Sequence, residues 1–67
     1  MGRKGEFLSS KANVLVHVLH NRGWEITGDL CVFTAVFHDI KMNYKDGDID
    51  VWRGSDEIMR IKITDII

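Results

Sequence analysis

The spacing of apolar residues changes once along this chain, at Gly23, and that change limits what it can fold into. Before the glycine, apolar residues recur with helical spacing; after it they alternate. Phe7, Leu8, Ala12, Val14, Leu15, Val16, Val18 and Leu19 fall on an arc of roughly 200° at 100° per residue. His17, His20, Asn13, Ser10 and Asn21 share the opposite side. A helix over residues 9–22 follows, with Ser9 or Ser10 as N-cap and Gly23 as the left-handed stop. A strand is the competing reading, because Val14, Val16 and Val18 alternate and β-branched residues favour sheets. Length, cap and glycine stop decide for the helix. Residues 1–6 are polar, contain two glycines and read as a flexible arm.

From Trp24 onward the period is two, and strands are predicted over 24–27, 30–37, 40–45, 48–53 and 57–65. Residues 30–44 make one long β-prone stretch, so a bend, bulge or turn is expected near His38-Asp39. Asp46-Gly47 is the strongest hairpin signal, and Gly28-Asp29 and Gly54-Ser55-Asp56 are further turns. In the last segment Met59, Ile61 and Ile63 alternate inward with Arg60, Lys62 and Thr64 outward. No proline interrupts any of it. The expected fold class is α+β, with one N-terminal helix packed on an antiparallel meander of four or five strands.

Sixty-seven residues make a single small domain over 1–67, and a chain of this size buries only ~60% of its unfolded surface. Cys31 is the only cysteine, so no disulfide within the chain can reinforce so thin a core. In its Val/Phe-rich segment that thiol reads as a small buried apolar group in a reducing compartment. A net charge of −1 gives no global attraction to nucleic acid or anionic lipid. The first ten residues have a basic start without an apolar segment, and Glu6 stands where a myristoylation pattern wants Ser or Thr. No run of ~18 apolar residues occurs, and a cytoplasmic setting is expected.

A single helix covers one sheet face, yet residues 30–37 carry apolar side chains on both. An uncovered two-faced strand is an aggregation hazard, so a homodimer or stable complex is expected there, through Val32, Phe33, Ala35 and Phe37. The alternative is that the remaining strands curl over to cover it.

Candidate sites compete with plainer readings. Asp46, Asp48, Asp50 and Glu57 match positions 1, 3, 5 and 12 of a calcium loop, but Val51 stands where the sharp turn needs glycine. A hairpin with Ile49 and Val51 inward and Asp48 and Asp50 outward accounts for the same residues. Between Asp46 and Glu57 lie five acids and one base, with Trp52 sharing the parity of Asp48 and Asp50. A tryptophan among carboxylates suits a basic protein surface, which makes Asp48, Asp50, Trp52 and Arg53 the candidate partner-binding residues. The competing reading is a cross-strand charge ladder with Lys41, Lys45, Arg60 and Lys62.

His17 and His20 share a helix face as two zinc ligands would, but no Cys pair or helical acid completes a set, and no metal or cofactor is expected. Cys31 has no orienting third group for nucleophilic chemistry. Nucleic-acid binding would rest on Arg3, Lys4, Lys11 and Arg22, the first two in the arm.

The tail Gly54-Ser55-Asp56-Glu57-Ile58-Met59-Arg60-Ile61-Lys62-Ile63-Thr64-Asp65-Ile66-Ile67 resembles the final strand of small phage inhibitors of uracil-DNA glycosylase. The likeness covers residues 54–67 and consists of an Asp-Glu pair ahead of an alternating apolar and basic strand. Such inhibitors mimic DNA through many acidic groups, so the resemblance implies a concrete version of the acidic-hairpin reading, in a chain that is itself nearly neutral. The function expected is therefore a small non-enzymatic protein-interaction module that inhibits or regulates a larger protein, as a homodimer. The alternatives are a nucleic-acid binder using the basic arm and a homodimer that sequesters a ligand between its subunits.

Overall fold

The structure, a computed structural model, describes residues 2–67, with side chains from Leu8 onward. Helix α1 (Gly2–Asn21) precedes five strands, β1 (Glu25–Gly28), β2 (Val32–Phe37), β3 (Ile40–Lys45), β4 (Asp48–Arg53) and β5 (Asp56–Lys62), and a 3-10 turn, η1 (Ile63–Asp65). The strands pair antiparallel in the order β1-β2-β3-β4-β5, so the α+β meander is as expected and has five strands.

Ala12, Leu15 and Leu19 form the buried stripe of α1, with Leu8 and Val16 packed at its margins. This three-and-four spacing is why the alternating valines do not make a strand. Ser9 and Ser10 lie inside the helix and cap nothing. Leu8 faces Gly47 in the β3–β4 turn, so packing carries the helix past the serines. Residues 2–6, read from the sequence as part of a flexible arm, fall within the span of α1, and their side chains lie outside those described. At the other end the Trp24 N–H reaches the Leu19 carbonyl at 3.1 Å and the Gly23 N–H reaches that of His20 at 3.1 Å. This paired closure requires the left-handed φ of +93° that Gly23 adopts.

Register sorts the sheet side chains into two faces. Phe33, Tyr44, Ile49 and Ile61 form one cross-strand row, and Ala35, Met42, Val51 and Met59 the next. These rows face α1, and with Ile63 they supply most of the core. The open face carries Val36, Lys41, Trp52 and Glu57 in one row, Thr34, Asn43, Asp50 and Arg60 in a second, and Val32, Lys45, Asp48 and Lys62 in a third.

Three departures from the expected strands have local causes. The Asp29 carboxylate accepts the N–H groups of Cys31 at 2.8 Å and Val32 at 3.1 Å, which holds Leu30 and Cys31 in a turn, so β2 starts at Val32. Cys31 is consequently exposed, not buried. The last strand stops at Lys62, where the chain turns into η1 to bury Ile63. A register shift in β5 sets Met59 opposite Val51 but Glu57 opposite Trp52, leaving Ile58 as the extra residue of a bulge. The turn at His38-Asp39 falls where one was expected, with His38 in the left-handed region at φ +56°.

Candidate functional site

The hairpin proposed for partner binding is built on a two-residue turn. Asp46 and Gly47 both adopt positive φ, +46° and +96°, the combination that matches the twist of β3 and β4. Alternation then puts Asp48, Asp50 and Trp52 on the open face, and Arg53 on the opposite side, where it pairs with Asp39 at 3.4 Å. The four residues therefore do not form one surface.

The acids of the open face have partners on β5. Lys62 Nζ stands 3.5 Å from Asp48, and Arg60 bridges Asp50 and Glu57, each at 3.2 Å. The guanidinium is held in its charged form by Glu57 first and Asp50 second, which raises its pKa. The open face thus carries the Arg60 and Lys62 part of the charge ladder, while Lys45 stands in register with Asp48 and Lys41 with Trp52. A depression there, lined by Asp48, Asp50, Arg60, Lys62 and Asp65, contains both signs of charge. Trp52 is half-buried between Lys41 and Glu57 in the register.

The residues named for self-contact are divided between environments. Phe33 is 2% exposed and Ala35 fully buried, both packed within the chain's own core, which removes them from any surface offered to a second copy. Val32, 51% exposed, stands on the open face, as does Val36. Phe37 is half-buried, stacked on Trp24 at a centroid distance of 5.4 Å and meeting the His38 ring edge-on at 4.1 Å. The apolar surplus of residues 30–37 is thus half absorbed by α1. What stays open alternates with charge, since Val32 lies beside Lys45 and Val36 beside Lys41.

Further exposed apolar side chains lie outside residues 30–37. Val14 and Val18 on α1, Ile58 and Met59 on β5, and the terminal Ile66 and Ile67 are all exposed. Lys11 Nζ donates to an oxygen of Ile67, so the flank of α1 bearing Lys11, Val14 and Val18 is turned toward the end of the chain that follows β5. Met59 sits on the α1 side of the sheet, yet half of it remains uncovered.

Among the described residues no group of three or more His, Cys, Asp and Glu is placed to hold a metal ion. His17 and His20 are exposed on α1, and Arg22 is exposed beyond it; the Arg3 and Lys4 side chains lie outside those described. No helix among the described residues is long and apolar enough to cross a membrane. No protein-family model matches the chain, and neither does any curated protein or solved structure.

Proposed function

We propose that this chain is a small protein-interaction module, acting without catalysis of its own as an inhibitor or regulator of a larger protein and as a homodimer. The observation that carries the reading is the exposed apolar surface. Val14, Val18, Val32, Val36, Ile58, Met59 and Ile66 are each at least 40% exposed in a chain of 67 residues. Scattered exposed apolar side chains are ordinary, but grouped ones mark contact surfaces. The Trp52 face adds a half-buried aromatic within a charged lattice, the composition of an anchor with a polar rim. The exposed Cys31 thiol suits a reducing, cytoplasmic setting.

The test is a pull-down of the tagged chain from host lysate, with and without nuclease, read by mass spectrometry. A stoichiometric protein that survives nuclease and moderate salt is the expected result. Trp52→Ala or Asp50→Lys should release it if the hairpin face is the contact. Recovery of nuclease-sensitive material alone would replace this reading with nucleic-acid binding.

A further inference from the structure

We propose that two copies of this chain join edge to edge through β5, antiparallel and centred on Met59, to make one continuous ten-stranded sheet. This rests on the interaction-module reading and names the surface and occupant of its self-contact. The longest strand of the sheet, seven residues, lies at an edge, while the opposite edge, β1, has four. A long edge strand with exposed apolar side chains is a template for further pairing unless something covers it. Ile58 and Met59 are 53% and 50% exposed there.

Charge selects the occupant. The acids of β5, Asp56 and Glu57, lie at its start, and the bases, Arg60 and Lys62, at its end. An antiparallel copy of the same strand reverses that order, so acids meet bases. The bulge at Ile58 makes Glu57 and Arg60 equidistant, in ladder positions, from Met59, and both are on the open face. A twofold axis at Met59 therefore sets Glu57 of each copy across from Arg60 of the other, with the two Met59 side chains meeting on the α1 side. Arg60 already pairs with Asp50 and Glu57 of its own chain, and a second copy adds a further carboxylate opposite it that a foreign strand without an acid there would not supply. The open face is the weaker candidate, since docking there would bury Lys41 and Lys45 beside the exposed valines.

Glu57 and Arg60 also pair within one chain, so the experiment must separate the two contacts. The variants Glu57→Lys and Arg60→Glu each place like charges both within a chain and across the junction. Mixed one to one, they restore opposite charges only between copies. Association is measured by sedimentation velocity on the full chain, with circular dichroism confirming the fold. The natural chain is expected to be a dimer, each variant to associate about tenfold more weakly or worse, and the mixture to recover most of that loss. Met59→Lys reads the same junction without touching an ion pair and should also weaken it.

A natural chain that sediments as a monomer overturns the β5 junction while leaving the lysate pull-down to decide the wider reading. Variants that weaken association with no recovery on mixing overturn it too, because the effect would then lie within the chain. A dimer indifferent to all three changes but dissociated by Val32→Lys moves the contact to the open face and overturns it likewise.

Discussion

The rings of Phe33 and Tyr44 lie stacked across the β2–β3 register, 4.8 Å apart and 15° from parallel. That pair sits at the centre of the core, with Ile49 next in the same row. It also explains why an apolar face of β2 is not a docking surface, since the aromatic contact is already made within the chain.

Removing Phe33 should therefore cost far more than removing its neighbour. Phe33→Ala is expected to destabilise by about 3–5 kcal/mol, through lost burial and the cavity left behind. Val32→Ala, on the exposed side of the same strand, should stay within about 0.5 kcal/mol. Urea unfolding of the two variants checks the division; equal losses would mean that the two faces of β2 are misassigned.

Gly28 and Gly54 separate steric clash from backbone preference. A Cβ on Gly28 would lie 2.4 Å from the Val32 carbonyl oxygen and 2.8 Å from the Phe33 Cα, at φ +114°. At Gly54, φ +62°, nothing stands within 4 Å. Gly54→Ala should cost about 1 kcal/mol for the left-handed conformation alone. Gly28→Ala should cost more, about 2–3 kcal/mol or failure to fold. Thermal unfolding would rank them.

Stability should fall at both ends of the pH range, for different groups. The backbone N–H groups of Cys31 and Val32 hold the Asp29 carboxyl below its usual range. Its contribution is present above the ordinary carboxylate pKa and lost as pH drops through the lowered one. Burial pushes the Tyr44 phenol up, so its contribution is complete below pH 10 and lost as pH rises through the raised value. Asp29→Asn should flatten the acid limb and Tyr44→Phe the alkaline limb of midpoint against pH. If each variant keeps the slope of the natural chain, these groups are not the ones titrating.

Cys31 should react with a thiol reagent in the folded chain without denaturant, since it is exposed in the turn before β2. Labelling that waits for urea would return the residue to the interior, as its apolar neighbours alone suggest.

Local chemistry made much of this architecture legible in the sequence. The three-and-four spacing of Ala12, Leu15 and Leu19, the glycine stop at Gly23 and the Asp46-Gly47 turn depend only on backbone preference and side-chain period. The same holds for the parity of β4, which put Ile49 and Val51 inward and Asp48 and Asp50 outward. Tertiary structure decided what those local rules leave open. Whether Phe33 or Val32 is covered depends on which face α1 takes, and an apolar side chain carries no mark of the face it will occupy. The bulge at Ile58 belongs to the pairing of β5 with β4, and it alone sets Glu57 and Arg60 one ladder position to either side of Met59. Cys31 looked buried among its neighbours, but one carboxylate, accepting two N–H groups, held it in a turn. Period and turn chemistry are local and can be read along the chain; coverage and register belong to pairs of elements, and only the packed molecule determines them.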